Sequence, residues 1–363
     1  MFFAQRRKGA KKPLETRQRF ASWCLCAKMS FPAEGTFCAK PPREEEAMKR
    51  ILLIIFLFAL VTSAQAQTPK RTIAVTIDDL PYVQMGEGNY VARARAATAK
   101  ILKTLKKHKV PAVAFVNERM LEHASEREAR IALLRDWVKN GMILGNHTYS
   151  HPDFNNLTIE QFQEEITKGE VVSRELMKSR RPYQLYFRHP QTHTGDTREK
   201  KEAIEAFLAA RGYKITPHTI ENSDFVFNVP YALAVQKGDE ELARRIREAY
   251  VDLTFTATEF AEKVSPQIFS REIPQLLLIH SNDVTADCLD EILTRYEARG
   301  YQFVTLDTVM ADPAYQTKVT YITKYGPTWL FRWSQSKGLN ISFRGDPDPP
   351  KWVMDLYYKN QNN

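Results

Sequence analysis

Cysteine is scarce along most of this chain. Four occur in 363 residues, and Cys24, Cys26 and Cys38 crowd into the first 47. Only Cys288 lies beyond them, so that part forms no internal disulfide and must be held by its core. An apolar run of bilayer length, about 20 residues, is also missing. The run Ile51–Val61 stops at 11. An excess of one sign of charge disappears once the N-terminal stretch is set apart. Of 52 basic and 43 acidic residues, 12 and 5 lie in residues 1–66, which leaves 40 and 38. The remaining net charge of +2 carries no footprint of a nucleic-acid partner, although the whole chain stands at +9. Internal repeats are absent too, which excludes a solenoid.

What the N-terminal stretch does have is a three-part layout. Met48-Lys49-Arg50 is basic, Ile51–Val61 is apolar, and Ala64-Gln65-Ala66 offers small residues for cleavage. This reads as a signal peptide over 48–66, with a mature start near Gln67 and a periplasmic or secreted destination. No cysteine follows the cleavage site, so no lipid anchor is expected, and no membrane span remains after cleavage. Residues 1–47 are rich in Arg, Lys and Pro without periodicity. They read as an over-extension ahead of a true start at Met48, or as a disordered cytoplasmic tail before a signal anchor. A mature chain near 297 residues is long enough to bury a substantial core.

From Arg71 onward, strand-like runs alternate with helix-like ones. Strands are expected at 71–77, 110–116, 142–145, 184–187, 213–216, 274–279 and 301–305. Amphipathic helices are expected at 90–108, 125–140, from Thr158, at 197–211, 240–263 and 288–299. Gly141, Gly212 and Gly300 stand where helix ends want them. Roughly seven β–α units imply a parallel sheet, open or closed into a barrel. After about residue 310 the rhythm breaks. Residues 311–363 read as an irregular, aromatic-rich extension containing Trp329, Trp333 and Trp352, with an aromatic sugar-binding strip as the minor alternative.

The first strand is the organising one. Its β-branched run ends abruptly in Asp78-Asp79. Two adjacent carboxylates repel unless a positive group sits beside them. A metal on one would leave the other free as a base; otherwise the pair caps the next turn. Gly145-Asn146-His147-Thr148-Tyr149-Ser150-His151-Pro152 follows the third strand. Pro152 disfavours helix at His151, so the two histidines share a loop. One Asp and two His on loops after strands make a three-ligand set with room for water, the composition of a catalytic zinc site. Arg188, in Phe187-Arg188-His189-Pro190, can pair with a carboxylate. Asp224 follows another strand. His280 ends the run Leu276–Ile279, where an imidazole is a fair general acid. His193, in a polar loop near these groups, is a candidate for substrate contact.

The motifs Thr-Ile-Asp-Asp and Asn-His-Thr-Tyr-Ser-His, with the looser Arg-x-Pro, Asp and His that follow, resemble the polysaccharide deacetylase family, the NodB-homology domain of carbohydrate esterases. The resemblance covers about residues 71–310 and makes 67–310 the expected catalytic domain. It implies an α/β fold, a distorted (β/α)7 barrel, and a divalent metal, usually zinc. It also implies that Asp79, His147 and His151 bind the metal and that Asp78 is the general base. Arg188 would orient Asp78, His280 would be the general acid, and Asp224 would tune it. The chain departs from the family pattern at Gln191 and Thr192, where Tyr or Phe is common. It departs again at Phe225, where Trp is usual, and around His280 at Ile279 and Ser281-Asn282-Asp283. These departures bear on substrate more than on chemistry.

The expected activity is removal of N-acetyl groups from an N-acetylated sugar or polysaccharide: peptidoglycan, a chitin-like polymer or an exopolysaccharide. Two alternatives stand beside it. One is an amidase or O-deacetylase acting on a small substrate, closed over by residues 216–238 as a lid. The other is a sugar-binding barrel without catalysis, which would normally have lost the base or a ligand.

Overall fold

The computed structural model describes residues 71–180 and 182–361. The stretch read as a signal peptide, and residues 1–47, lie outside them. Residues 70–363 form one compact unit. Among the described residues no helix is long and apolar enough to cross a membrane.

Strand β1 (Arg71–Leu80) is the centre of the sheet. Its β-branched residues suit a pleated, two-sided environment, and every residue from Ile73 to Asp78 is buried. Helix α1 (Tyr90–Lys107) opens on Asn89, whose side chain accepts from Ala92 N, and buries Ile101, Leu102 and Leu105 along one stripe. Then come β2 (Val113–Val116), α2 (Arg127–Lys139) and β3 (Ile143–Asn146). Helix α3 (Ile159–Lys168) starts in a reciprocal capping box between Thr158 and Gln161. Helix α4 (Val171–Met177), β4 (Leu185–Phe187), α5 (Arg198–Ala210) and β5 (Tyr213–Ile215) follow. Next are β6 (Ile220–Glu221), α6 (Asp224–Gln236), α7 (Glu240–Phe269), β7 (Gln275–His280), α8 (Asp283–Ala298) and β8 (Tyr301–Phe303).

The hydrogen-bonded order is β5-β4-β3-β2-β1-β7-β6, with β8 on β1. All pairings are parallel. Ile73 pairs with both Gln275 of β7 and Phe303 of β8. A strand residue has one partner on each side, so β8 shares the β2 side of β1, below β2. The outer strands β5 and β6 are consecutive in the chain, and residues 216–219 join them. Thr216 N donates to Phe187 O at 2.8 Å and Thr219 N to Leu276 O at 3.0 Å. The link therefore closes the gap between the sheet edges. The result is the distorted (β/α)7 barrel, with β8 as an added strand.

Three expectations change here. Residues 216–238 are not a lid: they hold the closing link, β6 and α6, with Thr216, His218, Thr219 and most of α6 buried. Asp224 consequently follows β6, a strand not anticipated, rather than the strand at 213–216. The C-terminal segment is less irregular than its composition suggests. After α9 (Leu306–Met310), it carries α10 (Trp329–Ser336) and α11 (Lys351–Gln361). Trp333 and Trp329 are 1% and 8% exposed, and Trp352 packs against the core, so these three tryptophans form no surface strip. Trp333 instead meets the rings of Phe269 and Tyr315 edge-on.

Candidate metal centre and active site

Successive side chains of a strand point to opposite faces, so adjacent aspartates should diverge. Here the backbone intervenes. Asp79 has a left-handed φ of 62°, and the β1–β2 register shifts between Ile77 and Leu80. Both carboxylates consequently approach one imidazole nitrogen. His147 Nε2 lies 3.5 Å from Asp79 Oδ1 and 3.6 Å from Asp78 Oδ2. Asp78 is nearly fully buried, whereas the Asp79 side chain keeps 20% of its surface.

The loop after β3 is equally bent. Thr148 and His151 take φ values of 67° and 58°. His147 is fixed at three points: its N–H donates to Val116 O, its carbonyl accepts from Asn117 Nδ2, and its Nδ1 lies 2.8 Å from Arg188 O. A carbonyl only accepts, so Nδ1 carries the hydrogen and Nε2 turns a lone pair toward the aspartates. His151 Nε2 is 3.7 Å from Asp79 Oδ1. One ligand atom each from Asp79, His147 and His151 lies within 4.8 Å of the others. Asp79 Oδ1 is buried without a hydrogen-bond partner. A buried, unpartnered carboxylate oxygen facing two imidazole nitrogens fits a divalent cation, and the ligand types suit zinc.

The electrostatics agree with that geometry. Burial lowers the His147 pKa to about 4, against the opposing pull of the two aspartates, so the ring is neutral and able to ligate at neutral pH. Burial works against the Asp79 charge, but His151, His280 and His147 together outweigh it and hold its pKa below the usual carboxylate range.

Arg188 is fully buried, with its guanidinium 4.9 Å over the ring of Phe115. Nη1 straddles the Asp78 carboxylate at 3.4 and 3.5 Å. Nη2 donates to Thr76 Oγ1 at 2.9 Å and Pro217 O at 3.0 Å. The contact with Asp78 is thus a loose ion pair rather than a bidentate fork.

Asp78 and His280 occupy matched positions on β1 and β7, which turns both side chains to one face. His280 is clamped by Asp224. Asp224 Oδ1 takes His280 Nδ1 at 2.6 Å, and Oδ2 takes its backbone N–H at 2.6 Å and Thr285 Oγ1 at 2.9 Å. Burial disfavours the imidazolium, yet the Asp224 charge and hydrogen bond, helped by Asp79 and Asp78, raise the His280 pKa to about 10. Phe225 stands 6.1 Å from the His280 ring, edge-on.

Two residues of this site were given no role from the sequence. Thr76 opens the Thr-Ile-Asp-Asp motif, and its hydroxyl holds Arg188. Glu221 lies three residues before Asp224 and accepts from Ser223 N at 2.7 Å. That bond holds the left-handed turn that starts α6 and aims Asp224 at His280. Burial pushes the Glu221 pKa up to about 7. His193 lies in a tie between loops: its Nδ1 is 2.8 Å from Asp153 Oδ1 and 3.1 Å from Asn155 Nδ2.

The model of the polysaccharide deacetylase family matches residues 65–206. That span contains Asp78, Asp79, His147, His151 and Arg188, and ends before Asp224 and His280. A 30.6 kDa uncharacterised protein of Geobacillus stearothermophilus is 26% identical over 225 residues, 62% of this chain and 69% of that one. The peptidoglycan-N-acetylglucosamine deacetylase of Bacillus cereus is 31% identical over 103 residues, 28% of this chain and 31% of its own length. The peptidoglycan-N-acetylmuramic acid deacetylase of Bacillus subtilis is 32% identical over 95 residues, 26% of this chain and 33% of its own. This chain therefore spans about a third of those two enzymes. Among solved structures, the family 4 carbohydrate esterase of Streptomyces lividans in complex with acetate superposes with a TM-score of 0.42 at 18% identity, over 66% of this chain and 95% of that one.

Proposed function

This chain belongs to the polysaccharide deacetylase family, and from that premise we propose that it is a secreted, metal-dependent hydrolase that removes N-acetyl groups from an N-acetylated carbohydrate. Peptidoglycan is the favoured substrate class, because two relatives bear the names of peptidoglycan deacetylases. The observation that carries the metal-dependent reading is the unpartnered, buried Asp79 Oδ1 set against His147 Nε2 and His151 Nε2.

Asp79, His147 and His151 would hold the divalent cation, which when bound supplies Lewis acidity to the acetyl carbonyl and makes water a better nucleophile at neutral pH. The rest belongs to the chain's own side chains. Asp78 takes the proton from the attacking water, with Arg188 beside it and Thr76 holding Arg188. His280 holds a proton through Asp224 and gives it to the leaving amine nitrogen. An amide does not break readily without that proton, because an amide anion is too poor a leaving group. Asp224 occupies Nδ1, which leaves Nε2 to face the substrate.

The test pairs metal analysis of the purified protein with acetate release from a panel of N-acetylated glycans, including peptidoglycan fragments. Acetate release that stops on chelation and returns with zinc supports the proposal. No acetate from any glycan in the metal-loaded protein sinks it. N-terminal sequencing of the native protein tests the secreted part: a start near Gln67 supports it, and a retained Met1 or Met48 opposes it.

A further inference from the structure

A cavity of about 210 Å³ lies where the C-terminal segment meets the barrel. Its wall is built by the loop after β4, by α5, by β5 and the closing link, and by residues between 310 and 333. None of Asp78, Asp79, His147, His151, Asp224 and His280 lines it. Most of the wall lies beyond residue 206, where the family match ends. Ile215, Met310, Val319 and Trp329 give it an apolar lining. Two of its other lining groups have polar atoms that the chain leaves unmet. His189 Nδ1 and Trp333 Nε1 are buried without a hydrogen-bond partner, in residues 2% and 1% exposed. Such atoms are costly to bury alone and ordinarily find a partner. An indole N–H only donates, so the partner that suits Trp333 is an acceptor.

The charge nearby has a sign. Arg332 is 0% exposed. Its Nη2 donates to Thr192 O at 2.8 Å and Tyr325 O at 3.0 Å, its Nη1 to Thr194 Oγ1 at 2.9 Å, and its Nε to Pro327 O at 3.2 Å. These bonds pin the turn at residues 325–327 to the loop at 192–194, and Thr194 is part of the cavity wall. No carboxylate is among the partners. Burial lowers the Arg332 pKa to about 10, so the guanidinium stays charged at neutral pH. A buried cation without a counter-charge favours an anion close by. Lys201, also in the wall, is paired with Glu205 and leaves that preference unchanged. Burial, with Arg332 and Lys201 facing it, holds the His189 pKa well below the usual imidazole value. That ring is neutral at pH 7 and can donate from Nδ1.

We propose that this cavity is a second ligand site, for a small monocarboxylic acid bound as its carboxylate, with an apolar body about the size of one ring. The carboxylate accepts from Trp333 Nε1, with His189 Nδ1 as a further donor, and answers the charge of Arg332. The body lies against the apolar lining. An apolar cavity of about 150 Å³ admits benzene, so this one has room for a ring and its carboxylate. Pockets of mainly apolar wall with a few placed polar groups are the usual form of small-molecule sites.

The test uses benzoate and its uncharged counterpart benzamide on the purified protein, by calorimetry and by the indole N–H resonance of Trp333, which is assigned by its loss in Trp333→Phe. Benzoate is expected to bind with a Kd of about 10 mM or tighter and to move that resonance. Benzamide should bind about tenfold more weakly, because it lacks the charge. Trp333→Phe keeps a ring and loses the donor, and should weaken benzoate about fivefold to tenfold. Val319→Trp fills the cavity and should abolish binding. An unmoved Trp333 resonance at about 50 mM benzoate overturns the proposal. So does equal affinity for benzamide, or benzoate binding that survives Val319→Trp, which places the anion elsewhere, the metal centre included. The wild-type comparison of the two probes decides the matter even where a variant fails to fold. Binding is read directly, so the result stands apart from whether the protein releases acetate.

Discussion

Two carboxylates within 3.6 Å of one imidazole nitrogen make the division of labour between them a question for single residues. Asp79 faces both histidines, whereas Asp78 faces His147 and Arg188. Asp79→Ala is expected to abolish metal content and acetate release together. Asp78→Asn keeps the shape but cannot take a proton, so metal should survive while turnover falls by about 100-fold or more. Equal loss of metal in Asp78→Asn, by elemental analysis, would overturn this separation. His280 poses a second question at this scale. A pKa raised to about 10 keeps the imidazolium present through neutral pH and loses it only as pH climbs through that value. The alkaline limb of kcat/KM should therefore lie above the free histidine value of about 6.5. Metal-bound water also titrates in this region, so the wild-type limb has two candidate owners. In Asp224→Asn the burial of His280 is no longer opposed by the Asp224 charge, and the limb should move to lower pH with metal retained. A limb that stays put means that Asp224 does not tune the acid.

At the scale of elements, legibility followed periodicity. Helix α1 showed an apolar stripe against lysines, and α3 showed its cap at Thr158; both read correctly. Helix α6 did not. Its sequence from Phe225 to Val235 is apolar nearly all round, and nine residues from Asp224 to Ala234 are buried. A helix apolar nearly all round has no stripe to betray it, and Pro230 within it disfavours helix. Strand β6 has two residues, too few for any pattern. Arg332 was invisible for another reason: its partners include backbone carbonyls of two separate loops, which leave no trace in residue types. The turn it holds stands on Gln191 and Thr192, the positions where the family resemblance led one to expect an aromatic. The clearest check on this element is Gly326→Ala. The added methyl has no room at 2.1 Å from Gln191 O, so the turn must lift off the loop. Destabilisation of about 1–3 kcal/mol is expected, with faster amide exchange confined to residues 190–194 and 324–332. Wild-type stability and exchange in Gly326→Ala would mean that the contact does not constrain the loop.

The whole molecule was legible where β and α runs alternated, because each unit carries its own signal and only a few topologies join such units. The candidate metal centre itself exists only at this scale. Asp79 ends the central strand, and His147 and His151 follow a strand two places away in the sheet. The unfolded chain holds no such set, so a cation bound there would add to folding stability. The unit that gains is the whole of residues 70–363, which form one compact body. Free metal at a hundred times its Kd contributes about 2.7 kcal/mol. In a chain of this size each kcal/mol moves the midpoint by roughly 2–4 °C. Zinc added to chelated protein should therefore raise Tm by about 5–10 °C, with further rise as the metal concentration increases. His147 contributes no released proton to this step at neutral pH, because burial holds its pKa at about 4. Asp79→Ala should unfold at the same temperature with and without zinc. A wild-type Tm indifferent to zinc, or an equal rise in Asp79→Ala, would mean that the cation, if one binds, is held elsewhere.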